Sequence, residues 1–158
     1  MRNHQQKGFS LIELLIVVAI ILIIAAIAIP NLLRARVAAN EASAVSSIRT
    51  MITACLTYNS TYGQFPPLQA NMGPANGATP TSSEADLLDS LLGVANAVKS
   101  GYTVTYTAGT SSPIISYALN ADPVIQNQTG VRHFFADQTG VIRANPSVTA
   151  TVNDSPVN

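Results

Sequence analysis

Residues 9–29, FSLIELLIVVAIILIIAAIAI, carry only two polar side chains, Ser10 and Glu13, and none between Leu14 and Ile29. Wound as a helix at about 1.5 Å per residue, this run spans roughly 30 Å, the thickness of a bilayer hydrocarbon core. Arg2 and Lys7 precede it, which predicts a cytoplasmic N-terminus with the rest of the chain outside. A secretory signal peptide is the ordinary reading of such a start. It fits poorly, because no small-x-small cleavage site follows and the run ends Ala28-Ile29-Pro30-Asn31. A plain signal anchor explains length and orientation but leaves Glu13 unexplained. A carboxylate in such a stretch costs a few kcal/mol near the membrane centre and less near the end, where this one sits. A partner for it is expected.

The remainder reads as one domain of modest core, the whole chain being 158 residues. Charged residues make up 10%, against ~25% in ordinary soluble domains. Eight basic residues balance eight acidic ones, which excludes a nucleic-acid binder working by bulk charge. A single cysteine, Cys55, excludes an internal disulfide and a multi-cysteine metal site. Two histidines, His4 and His133, leave no material for a histidine-rich centre.

The order Lys7-Gly8-Phe9-Ser10-Leu11-Ile12-Glu13-Leu14 resembles the leader and cleavage site of type IV pilins and type II secretion pseudopilins. The resemblance implies cutting after Gly8 by a prepilin peptidase, N-methylation of Phe9, and retention of the apolar segment, first in the inner membrane and later in a filament core. The implied organisation is a leader at 1–8, a membrane and filament-core helix at 9–30, and an external head at 31–158. The implied partners are related or identical subunits, the peptidase, and a membrane assembly platform with its ATPase. The residues make chemical sense of this. Gly8 gives a peptidase the extended backbone at least cost. Cleavage would expose an α-amine on Phe9 with a reference pKa of ~7.7–8.0, cationic at neutral pH. Glu13 lies four residues on, so both groups share a helix face. In an apolar bundle either charge alone is expensive, so Glu13 acts as a register device that is satisfied only when it meets its own or a neighbour's amine.

Asn31–Tyr58 reads as a helix continuous with the membrane run, with Leu33, Val37, Val45, Ile48, Ile52 and Cys55 on one face and Arg36, Asn40, Ser43, Ser47 and Thr50 opposite. Pro30 interrupts it, removing a donor and kinking or loosening the helix, or else separating two helices. Cys55 reads as a small buried hydrophobe. Tyr62-Gly63-Gln64-Phe65-Pro66-Pro67 ends the helix, and 68–82 is a loop. Ser83-Glu84-Ala85-Asp86 looks like a capping box, predicting a short helix over Glu84–Leu92 with Leu87, Leu88, Leu91 and Leu92 packed on a sheet. Strands are predicted at Tyr102–Thr107, Ile114–Leu119, Val131–Ala136 and Val141–Ala144, with a turn at Asp137-Gln138-Thr139-Gly140. Residues 145–158 read as extended or mobile. The fold class is α+β: a long N-terminal helix packed on an antiparallel meander of about four strands. Gly101-Tyr102, Ala121-Asp122-Pro123, Gly130-x-Arg132-x-Phe134 and Asp137-x-x-Gly140-x-Ile142 resemble the head of pilins that lack the C-terminal disulfide.

Other chemistry is weakly signalled. His133 with a serine and Asp137 makes an imaginable triad, but no serine sits in a nucleophile motif. Asp122, Asp137 and Asp154 match no calcium loop and read as turn formers. Asn59, Asn127 and Asn153 each begin an Asn-x-Ser/Thr triplet by chance. Arg34, Arg36 and Arg49 read as snorkelling anchors or intersubunit pairs rather than a DNA site. No catalytic, metal or cofactor site is expected. The expected function is a structural pilin subunit of a surface filament. Alternatives are a type II secretion pseudopilin or a minor pilin, and, further off, a membrane-tethered enzyme or receptor.

Overall fold

A computed structural model describes residues 9–77 and 79–157. The chain divides into two compact units, residues up to Ala35 and residues from Arg36 onward. One helix, α1, Leu11–Tyr62, forms all of the first unit's regular structure and enters the second. Pro30 lies inside it without ending the helix, so the reading of two separate helices does not hold. Proline costs a helix only the donor to the carbonyl four residues back and the clash beside it. Leu32-Leu33-Arg34-Ala35-Arg36, all strong helix formers, carry the helix on past it.

In the second unit an antiparallel sheet of six strands follows in chain order: β1 Ala97–Lys99, β2 Tyr102–Ala108, β3 Tyr117–Pro123, β4 His133–Asp137, β5 Arg143–Asn145 and β6 Ser155–Pro156. The unit is thus α+β, a helix packed against an antiparallel meander. Alternation drives the sheet: Tyr102 and Val104 of β2, Tyr117, Leu119 and Ala121 of β3, and Phe134 and Ala136 of β4 are buried. Register pairs large with small, Ala121 opposite Phe134 and Leu119 opposite Ala136, so neighbouring side chains interdigitate. Against this face α1 lays Ala44, Ile48, Met51, Ala54, Cys55 and Tyr58. Each fully buried large apolar side chain contributes on the order of 1.5–3 kcal/mol.

Several expectations are corrected. The buried stripe of α1 includes Glu41 and Ser47, while Val37, Val45 and Ile52 sit at its edge and Leu33 is exposed. Small Ala44, Ser47 and Ala54 admit the sheet closely, and Ser47 disposes of its hydroxyl on the Ser43 carbonyl. The short helix at Glu84–Leu92 is absent. Asp86 has φ +53, the left-handed region that ends a right-handed helix. The amides of Ala85, Asp86, Leu87 and Leu88 bond to carbonyls of Asn71, Gly73 and Met72, so the segment is laid along a 3-10 turn at Gln69–Met72. Glu84 binds Asn76 through both carboxylate oxygens instead of capping. Leu88 and Leu92 do reach the core, Leu87 partly, and Leu91 stays exposed.

The sheet has two more strands than expected. Ser100 and Gly101, both at positive φ, make a two-residue hairpin turn of the kind that suits strand twist and create β1. The tail folds back as β6, with Ala150 buried and Val157 packed on the core, which corrects the mobile reading. The second predicted strand begins at Tyr117 rather than Ile114, the third at His133 rather than Val131, and the fourth at Arg143 rather than Val141. The turn at Asp137 holds: its carboxylate accepts the Thr139 amide and hydroxyl, and Gly140 takes φ +74.

Candidate functional site

The start of α1 is built by its own sequence. Ser10 precedes the helix and Glu13 lies in its first turn, the Ser-x-x-Glu spacing of a capping box. The Glu13 carboxylate accepts the Ser10 amide at 2.9 Å. It satisfies a backbone donor that the helix end leaves open and places negative charge against the positive end of the helix dipole. Sequence reading missed this local role, for which the Ser-x-x-Glu spacing was the available signal, and it is additional to any pairing with an amine. Phe9 is non-helical and 89% exposed. Gly8, the expected cleavage position, and residues 1–7, the remainder of the expected leader, lie outside the described residues.

Beyond this cap the surface is uniformly apolar. Every large apolar side chain from Phe9 to Leu33 is between 47% and 89% exposed. The most apolar window has a mean hydropathy of 3.3, and none of it is buried. By length and composition α1 can cross a membrane. Pro30 lies at one end of a shallow apolar surface shared with Leu22, Ala25, Ala26 and Ile29, and it has no amide to offer the Ala26 carbonyl one turn back.

In the head the charged groups are organised around contacts distant in sequence. Glu41, on the buried face of α1, accepts the amides of Val131 at 3.0 Å and Arg132 at 3.1 Å, and the Arg132 Nε at 2.7 Å. Burial pushes this carboxyl up. The Val131 amide, the Arg132 guanidinium, the Arg132 amide and the positive charge together outweigh burial and hold it below the usual carboxylate range. Asn40 donates to the Thr129 carbonyl, and the Tyr102 hydroxyl to that of Arg132. The β3–β4 loop is therefore fastened to helix and sheet through Thr129, Val131 and Arg132. Sequence reading missed Glu41, although it stands three and four residues before Ala44 and Val45, in phase with the apolar stripe; a carboxylate there requires a partner.

The other candidate groups are dispersed. His133 Nδ1 meets Asp122 Oδ1 at 2.5 Å, not Asp137, which is engaged in its own turn. Asp154 is held by Thr151 and Asn145. The three aspartates do not converge, and no group of three or more metal-binding side chains forms among the described residues. Cys55 is buried beside Met72, sulfur to sulfur 3.7 Å. Burial pushes its thiol up to about 12, so the nucleophilic thiolate is not populated at neutral pH. Arg34, Arg36 and Arg49 are exposed and make no ion pair among the described residues.

An apolar, uncovered helix with a capped acidic start, carrying a small sheet-packed head, is a subunit design. The prokaryotic N-terminal methylation motif matches residues 3–29. The type IV wide pilus major component PilA4 of Thermus thermophilus is 34% identical over 157 residues, covering 98% of both chains. The chain belongs to the type IV pilin family. A second pilin, the type IV major pilin protein PilA of Myxococcus xanthus, is 46% identical over 52 residues, 33% of this chain and 24% of that one. This pilin is a structural subunit whose N-terminal helix associates with a membrane.

Proposed function

We propose that this pilin is the major subunit of a type IV pilus. A prepilin peptidase cuts it after Gly8, and the new Phe9 amine is methylated. Residues 9–30 hold it in the bacterial inner membrane with the N-terminus cytoplasmic. An assembly platform and its ATPase then extract it into a helical surface filament of identical copies. The observation that carries this reading is the uncovered apolar surface from Phe9 to Leu33 with one carboxylate at its start. Lipid covers that surface before assembly, and neighbouring helices cover it afterwards. Glu13 keeps one oxygen on the Ser10 amide and offers its charge to the Phe9 amine of a neighbour. The unpaired carbonyl beside Pro30 makes that turn the point where the helix loosens on assembly. The full-length match to a major pilus component supports a main over a minor subunit.

The test is mass spectrometry of filaments sheared from cells. The expected chain begins at N-methylated Phe9 and has 150 residues, 158 less the eight of the leader. It is the dominant component of the filaments. A mature terminus near Pro30 would show a discarded signal peptide and refute the reading. A chain absent from long filaments but required for protein secretion would make it a pseudopilin.

A further inference from the structure

The head of this pilin contains seven carboxylates: Glu41, Glu84, Asp86, Asp89, Asp122, Asp137 and Asp154. Six of them accept hydrogen bonds within the chain: Glu41 from Arg132 and two amides, Glu84 from Asn76, Asp89 from the Leu91 and Leu92 amides, Asp122 with His133, Asp137 from Thr139, and Asp154 from Asn145 and Thr151. Asp86 is the exception among the described residues. Its carboxylate is exposed and bonded to nothing, although its backbone is held in the left-handed region with its amide pinned to the Gly73 carbonyl. A residue with a Cβ kept there is mildly strained, and the surrounding hydrogen bonds prevent relaxation. The backbone at this position is fixed, while the carboxylate is free to meet a partner.

A matching cation lies elsewhere on the same head. Arg49 is exposed and without an ion pair among the described residues. It lines a concavity of about 220 Å³ whose other walls are Val45, Gly140, Val141, Ile142 and Val157. The hollow is open to solvent, so a carboxylate that meets this guanidinium gains the modest attraction of a surface pair, with its position fixed by the shape of the hollow.

The two sites share no residue. Asp86 belongs to the segment that leads into β1, while the concavity lies at the other end of the strand order, where β4 turns into β5 and β6 follows. They also differ in height along α1. The segment around Asp86 is bonded to Met72, whose sulfur touches that of Cys55, and Arg49 lies six residues earlier, about 9 Å along the helix. A contact between two different patches, offset along an axis, is heterologous and propagates as an open helix rather than closing into a dimer. We propose that the occupant of the Arg49 concavity is Asp86 of a second copy of this chain, so that this ion pair sets the lateral register of heads in the filament. The inference rests on the filament reading above.

The experiment uses the full chain in cells, reading the ratio of subunit in sheared filaments to subunit in the membrane. Arg49→Glu and Asp86→Arg each place like charges together and should lower the ratio by about fivefold or more, with membrane levels unchanged because neither side chain has an intrachain partner among the described residues; a pair of this kind is worth up to ~1 kcal/mol, about fivefold. The combined reversal restores opposite charges and should return the ratio to near that of the parent. In a second measurement Arg49→Cys with Asp86→Cys should give intersubunit cross-links in intact filaments treated with a short bismaleimide, whose span suits the reach of an arginine–aspartate pair, while the buried Cys55 stays unreacted. Neutral single reversals, a double variant no better than the worse single, or no cross-link in abundant filaments would overturn the proposal while leaving the pilin reading intact. Absence of the parent chain from filaments would overturn both.

Discussion

Glu41 ties the long helix to the β3–β4 loop, and its loss should cost the head measurable stability. Replacing it by alanine removes three hydrogen-bond acceptor contacts at once: two backbone amides and a guanidinium. Val131 and Arg132 are exposed residues, so water can partly reach the abandoned amides, and each loss lies near the low end of the range for an unsatisfied donor, about 1 kcal/mol. Arg132 is 45% exposed at its side chain, so the ion pair is heavily screened and adds only ~0.5 kcal/mol. The expected destabilisation is therefore about 2–3 kcal/mol for Glu41→Ala and about 1 kcal/mol for Glu41→Gln, which keeps an oxygen for the amides. The assay is urea denaturation of the fragment 34–158, read as a change in midpoint. The pH dependence has a defined sign. The folded carboxyl lies below the usual range, so its contribution is complete above the unfolded value of ~4.3 and is lost as pH falls through the lower folded value. The gap between parent and alanine variant should thus narrow progressively as pH falls below the unfolded value. A difference under about 0.5 kcal/mol at pH 7, the size of an ordinary surface substitution, or one that persists unchanged in acid, would refute the clamp.

Four further outcomes are expected. Glu13→Leu should insert normally into the membrane but assemble poorly, because under the proposed function the Phe9 amine would enter the filament core unpaired at a cost of roughly 3–5 kcal/mol; Glu13→Gln should be nearly as defective, and normal filament yield from the leucine variant, cut after Gly8, would end the register argument. Gly130→Ala should destabilise the fragment by about 1–3 kcal/mol in urea melts, since a Cβ there overlaps the Tyr102 hydroxyl and ring. Cys55 should resist iodoacetamide at pH 8 in the folded fragment and react once urea unfolds it; rapid native labelling would contradict its burial. The fragment 34–158 should be soluble and monomeric by light scattering, and spontaneous native-like filaments from it would show that the apolar segment is dispensable.

Features governed by near neighbours along the chain were legible before any fold was known. The run from Phe9 to Ile29, its flanking charges and Glu13 define a helix that needs lipid or other helices. The Ser10–Glu13 cap, though its three-residue spacing is local, was missed by the sequence reading and came from the structure. Alternation at Tyr102, Val104 and Tyr106 announces a strand, and Asp137 to Gly140 a turn, because side-chain period and backbone preference act locally. Contacts between distant segments settle the rest. Glu41 and Arg132 are 91 positions apart, and neither residue's local pattern names the other. The helix expected from Ser83-Glu84-Ala85-Asp86 yields to amides that bond with the 71–73 backbone, a competitor invisible to a capping rule. The stripe α1 buries follows the sheet it packs against, which favours Ala44 and Ser47 over Val45 and Ile52 because small side chains permit close approach. The short β6 exists only because β5 offers it an edge; two residues carry no strand preference strong enough to form one alone.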